Sequence, residues 1–132
     1  MPQLQNIAVA DRESIPVTHT FVPRDIIDGV GTVVETSGTP IGENTLSVSL
    51  RKTPQGRYKA TLKGKFPVVQ NQTINGVISP VVVRTSYAEV IFNFDATSSE
   101  QERKNIVGMI YGSLASSVVL TNDVCTKLQG VY

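Results

Sequence analysis

Between residues 44 and 88 the chain carries Arg51, Lys52, Arg57, Lys59, Lys63, Lys65 and Arg84, and no aspartate or glutamate at all. Ammonium and guanidinium groups neutralise phosphates, the hydroxyls of Ser47, Ser49 and Thr61 can hydrogen-bond base edges, and Tyr87 can stack on an unpaired base, worth about 1–3 kcal/mol. This is chemistry for holding a polyanion, and it involves no bond-making step. The overall net charge of +1 conceals it: residues 1 to 43 carry two cations against six acids, the middle third is +7, and residues 89 to 132 carry three cations against five acids. An ordinary solvated sheet face also alternates lysine and threonine. The missing acids tip the reading towards nucleic acid.

Other reactive residue types carry no comparable pattern. His19 is the only histidine, standing between Thr18 and Thr20, so a metal site would need carboxylates from elsewhere; a half-exposed strand histidine is expected. No Gly-x-Ser-x-Gly elbow surrounds any serine, Ser14 and Ser37 included, and His19 is the only base available to a hydrolase. Gly29-Val30-Gly31 has Val34 where a dinucleotide fingerprint needs its third glycine, and is read as a turn. Glu100 and Glu102 favour a helix dipole at a helix start and are read as structural. Enzymatic activity, a cofactor, a metal and a small-molecule substrate are therefore not expected. Cys125, the only cysteine, excludes an internal disulfide and is expected as a small buried apolar side chain.

The elements that must position the basic residues follow from period-two alternation. Leu46, Val48 and Leu50 share one parity and Ser47, Ser49 and Arg51 the other; past the turn Thr53-Pro54-Gln55-Gly56, Ala60, Leu62 and Phe66 alternate with Lys59, Thr61, Lys63 and Lys65. This predicts a hairpin with one apolar face and one basic, hydroxyl-bearing face. Before it, Ile7 and Val9, then Ile15, Val17 and Phe21, predict an N-terminal hairpin around Asp11-Arg12-Glu13-Ser14. A short strand is expected over 31–35, between the Asp28-Gly29 turn and the breaker cluster Ser37-Gly38-Thr39-Pro40. Asn75-Gly76 suits a tight turn within a loop spanning roughly Gln70 to Pro80, followed by long β structure over 81–94 with Tyr87 and Glu89 on the basic side.

After Asp95 the period becomes helical. Ser99 and Glu102 match a capping box ahead of Ile106, Val107, Ile110, Tyr111 and Leu114, and a second helix is expected from about Thr121 or Asn122 to Gly130. Six or seven strands followed by two helices is an α+β order in a single domain, residues 1–132. Two short helices cannot cover the apolar face of so wide a sheet, and open edges invite pairing, so an obligate dimer is expected. The start, Met-Pro-Gln-Leu-Gln, has neither a basic n-region nor an apolar core, so secretion and membrane spanning are not expected, and Pro2 favours removal of Met1.

The stretches Ser47-Val48-Ser49-Leu50-Arg51-Lys52, Arg57-Tyr58-Lys59-Ala60-Thr61-Leu62-Lys63 and Pro80-Val81-Val82-Val83-Arg84-Thr85-Ser86-Tyr87, with the closing Gly130-Val131-Tyr132, resemble the coat proteins of leviviruses, the small single-stranded RNA bacteriophages. The resemblance covers essentially the whole chain and is nearest to phages that enter through plasmid-encoded pili. It implies an N-terminal β-hairpin, a five-stranded antiparallel sheet and two C-terminal α-helices in an intertwined dimer. Dimers would build an icosahedral virion shell around the genome, with assembly in the host cytoplasm. It further implies binding of an operator hairpin, with repression of replicase translation and preferential packaging of the viral RNA.

By position, the resemblance places Ser47, Ser49, Thr61 and Lys63 in a polar pocket for an unpaired adenine, with Val30 near its edge. Tyr87 would stack on a loop base, and Arg51, Lys59 and Lys65 would lie on or beside the surface that meets the RNA backbone. Glu89 occupies a position that is neutral or acidic in relatives and bears on hairpin preference. Gln70, Asn71, Gln72, Thr73, Ile74, Asn75 and Gly76 resemble the loop that lines the shell's symmetry axes. Two other classes remain open on residues alone. A cellular single-stranded nucleic-acid-binding module would share the basic face without forming shells, and a pilus or surface subunit would lack RNA.

Overall fold

The computed structural model describes residues 1–36 and 40–132; the expected breaker at Ser37, Gly38 and Thr39 lies outside them. Two compact units are present, Met1–Asn93 and Phe94–Tyr132. The first is a sheet of six strands in sequential order: β1 (Ile7–Ala10), β2 (Thr18–Ile27), β3 (Val30–Glu35), β4 (Asn44–Lys52), β5 (Tyr58–Ile74) and β6 (Val77–Phe94). The second holds α1 (Glu100–Ser113) and α2 (Val119–Lys127). The α+β class and the order of strands before helices agree with expectation.

The strand count differs from that of a separate hairpin plus five strands, because β2 serves both. Its first half pairs β1, from Ile7 opposite Phe21 to Ala10 opposite Thr18, and its second half pairs β3. The register shifts between Pro23 and Asp25. Proline has no N–H to donate, so a ladder interrupts itself there with little loss, and the strand can bend from one partner to the next. Ile15 and Val17, expected in this hairpin, precede the strand; Asp11 Oδ1 instead accepts from the N–H groups of Glu13 and Val17, closing the connection.

Two tight turns join β2 to β3 and β5 to β6. Asp28 and Gly29 both have positive φ (51° and 78°), as do Asn75 and Gly76 (52° and 78°). That pairing defines a two-residue turn whose twist matches the flanking strands. The second turn overturns the expected loop from Gln70 to Pro80. Pairing runs up to it, so Gln70, Asn71, Gln72, Thr73 and Ile74 end β5, and only Asn75 and Gly76 form the turn. Their polarity gave the loop reading; in fact these residues are exposed strand, where polar side chains are tolerated.

The interior of the first unit is small. Phe21, Val33 and Val34 are the buried hydrophobics among the described residues, whereas Val48, Leu50, Leu62 and Ile91 are each at least 40% exposed. Gly64 is buried opposite Leu46, and an added Cβ would stand 2.6 Å from Phe66 Cε2.

In the second unit Ser99 caps α1 as expected, its Oγ accepting from the N–H of Glu102 at 3.2 Å. The second helix starts earlier than expected and ends earlier, at Lys127, with Leu128 in the left-handed conformation. Thr121 is not a cap: its hydroxyl donates to the carbonyls of Ser113 and Val118, which fastens the first turn of α2 back to the end of α1. Neither helix buries a residue, and Cys125, expected to be buried, is exposed. No described helix is long and apolar enough to cross a membrane.

Candidate nucleic-acid interface

The register of β3, β4 and β5 turns the sequence alternation into a grid. Val30 pairs with Ser49 and Ser49 with Thr61; Ser47 pairs with Lys63, and Arg51 with Lys59. Cross-strand partners point to the same face. Seven side chains therefore converge on one recess of about 280 Å³, lined by Val30, Ser47, Ser49, Arg51, Lys59, Thr61 and Lys63. Its lining combines three hydroxyls, one valine and three cations. No acid lines it. Such a cavity offers donors and acceptors to a flat heterocycle and positive charge to its attached phosphates.

Local structure explains each position. The Asp28-Gly29 turn returns the chain so that Val30 opens β3 at the recess edge. Arg51 reaches back over this turn, its Nη2 donating weakly to the carbonyl of Asp28 at 3.4 Å. At the far end of the β4–β5 hairpin, the Thr53 hydroxyl accepts from the N–H of Arg57 and the Gly56 N–H donates to the Thr53 carbonyl. That closure holds Arg51 and Lys59 in register two residues from the hairpin end.

Three expected site residues lie outside the lining. Lys65 pairs with Thr45, on the same face but one row beyond Lys63. Glu89 on β6 comes within 3.9 Å of Lys63 Nζ, with both side chains more than half exposed. This contact sets Glu89 on the recess face, and alternation along β6 brings Tyr87 to it as well. Tyr87 is 75% exposed, so its ring is uncovered for stacking. Not all the basic charge of the middle third shares this face. Lys52 pairs with Tyr58 on the opposite parity, its Nζ 5.9 Å from the ring centroid.

Sequence reasoning missed a second polar cluster. His19 is a partly exposed strand histidine, as expected, but two carboxylates come to it from elsewhere in the chain: its Nε2 lies 2.7 Å from Asp11 Oδ2 and its Nδ1 2.5 Å from Glu35 Oε2. Asn44 Nδ2 donates to the other oxygen of Glu35 at 2.9 Å. The signal was non-local: Glu35 faces Asn44 across β3–β4, a register that no local pattern specifies. No group of three or more metal-ligating side chains among the described residues is placed to hold an ion.

The profile of the family described as levivirus coat protein matches residues 2–132. The capsid protein of Pseudomonas phage PRR1 is 58% identical over 130 residues, covering 98% of this chain and 99% of that one. The capsid protein of Escherichia virus Qbeta is 29% identical over 107 residues, covering 80% and 77%. Among solved structures, the virus-like particle of bacteriophage ESE058 superposes with a TM-score of 0.84 at 24% identity, covering 99% of this chain and 100% of that one. The capsid protein of bacteriophage GA gives 0.84 at 19% identity, covering 98% of each.

Proposed function

Because the chain belongs to the levivirus coat protein family and is a capsid protein rather than an enzyme, we propose that its subunits dimerise, assemble into an icosahedral shell around single-stranded RNA, and bind an operator hairpin through the recess on β3, β4 and β5. The observation that carries the RNA reading is the acid-free recess, where hydroxyls and cations from three strands meet. Ser47, Ser49 and Thr61 read an unpaired base held there, and Arg51, Lys59 and Lys63 hold its phosphates. Tyr87 stacks on a second loop base. Lys65 extends the track, and Glu89 limits which loop is accepted. Occupancy of a hairpin over the replicase start represses replicase translation, and the same complex favours packaging of that RNA in the host cytoplasm.

Exposed apolar side chains support the assembly reading: Leu50 and Leu62 of the sheet, and Met109, Leu114, Val119 and Leu120 of the helices, lie open to solvent. A dimer that covers them removes this surface from water. The symmetry-axis role is carried by the β5–β6 hairpin end, including Gln70 to Gly76, whose exposed side chains are available to neighbouring subunits.

The RNA reading is tested by titrating dimers with a labelled hairpin bearing an unpaired adenine. Lys63→Ala and Tyr87→Ala should weaken binding, Tyr87→Ala by about 5- to 150-fold, with shells still forming. Affinity should fall steeply with salt as counterions are released. Unchanged affinity in both variants, or a flat salt response, would put RNA on another surface.

A further inference from the structure

The cluster around His19 does what neither RNA binding nor shell closure requires of it. His19 lies in the half of β2 that pairs with β1, opposite Val9. Asp11 comes from the β1–β2 connection and Glu35 from the last position of β3. The ring therefore ties the N-terminal hairpin to the body of the sheet beyond the bend at Pro23–Asp25.

Both ring nitrogens face carboxylate oxygens at hydrogen-bond distance. A neutral imidazole carries one N–H and would set its other nitrogen's lone pair against a carboxylate. An ionised carboxylate only accepts, so both contacts are hydrogen bonds only when the ring is protonated. We propose that Asp11, His19 and Glu35 form a protonation-controlled clasp that fastens the β1–β2 hairpin to β3 and loosens as the solution becomes alkaline.

The groups around the ring bear this out from each side. Asp11 and Glu35 are the carboxylates within reach; β4 contributes the neutral Asn44 amide, which orients Glu35, and β1 contributes Val9, which does not titrate. Arg12 and Glu13 flank Asp11 in the same connection. Hydrogen bonds to Asp11 and Glu35 hold the imidazolium above its usual range of about 6.5. The N–H of Val17, with His19 and the N–H of Glu13, pulls Asp11 down to about 2.

The signs set the working window. A raised histidine stabilises the hairpin fully below its unfolded value and loses that contribution as pH climbs through the folded one. A depressed aspartate contributes above 3.8 and loses it as pH falls towards about 2. The clasp is therefore closed in mildly acidic solution, below the usual histidine value, and opens as pH climbs through the raised one. Leu4 remains as an apolar tether, its Cδ1 3.0 Å from where a Cβ on Gly31 would stand, so opening frees the hairpin without detaching the whole N-terminal segment.

His19 is the only histidine in the chain, which makes the test direct. Slow exchange of the imidazole carbon-bound hydrogen, followed by mass spectrometry on intact assembled protein across pH, reports its midpoint. The clasp predicts a midpoint above 6.5 that falls in Glu35→Gln and Asp11→Asn. Amide exchange of peptides spanning residues 7–27, corrected for intrinsic rate, should accelerate severalfold between pH 6 and pH 9 in the wild-type chain and lose that extra acceleration in His19→Gln. A wild-type midpoint at or below 6.5 overturns the proposal without any variant having to fold. Extra acceleration that persists in His19→Gln overturns it too.

Discussion

In the proposed complex Lys63 serves two partners, the RNA and Glu89. The pair is separated by 3.9 Å with both side chains more than half exposed. Exposed pairs of this kind contribute about 0.2–1 kcal/mol. Glu89 is thus too weak a competitor to silence Lys63, yet it places an anion beside any phosphate that the lysine holds. Glu89→Gln should tighten hairpin binding by about 1.5- to 5-fold at low salt, with the gain shrinking as salt rises. Hairpin titrations at two ionic strengths check this; weaker binding by Glu89→Gln would make the carboxylate an RNA ligand instead of a brake. The basic, hydroxyl-bearing face was legible from residue types, and the pocket within it only from the family resemblance. Alternation alone sorted Ser47, Ser49, Thr61 and Lys63 to one face, and the acid-free composition gave that face its meaning. The His19 cluster was not legible, because its two carboxylates come from positions 8 before and 16 after the ring, and their convergence depends on how β2 bends.

The β4–β5 hairpin is the element on which the site depends, and its alternation read cleanly from the sequence. Its paired positions run from Thr45 opposite Lys65 to Lys52 opposite Tyr58. Behind the recess, on the other face, Gly64 leaves room for the ring of Phe66, two residues on in the same strand. Gly64→Ala puts a Cβ 2.6 Å from that ring and 3.3 Å from Leu46 Cδ2, so Phe66 must swing away. Overpacking of this kind costs about 1–3 kcal/mol. Chemical denaturation of the protein should show the loss, and RNA affinity of the folded fraction should remain near wild type because Lys63 and Thr61 point the other way. Element ends were harder to read than element cores. The polar run Gln70-Asn71-Gln72-Thr73 looked like a loop because polarity is common to loops and exposed strands, and only the turn geometry at Asn75-Gly76 separates them. The start of α2 was misplaced for a related reason: Thr121 bonds back to Ser113 and Val118, a tertiary use that sequence cannot distinguish from capping.

Across the entire chain, charge and greasy surface are segregated in a way that suits a shell subunit. The middle third is +7 and both flanking segments are negative, and four of its cations, Arg51, Lys59, Lys63 and Lys65, share one face of the sheet. The buried hydrophobics are few, Phe21, Val33 and Val34, while Met109, Leu114, Val119 and Leu120 of the helical unit are each more than half exposed. Burying this surface in the proposed assembly would couple stability to subunit association. The central claim is that the recess face meets the packaged RNA. Ultraviolet crosslinking of assembled particles, with peptide-level mass spectrometry, reads this directly. The account predicts nucleotide adducts on Tyr87 and on the peptides spanning residues 44–65; adducts confined to the peptides of α1 and α2, with residues 44–88 unmodified, would contradict it.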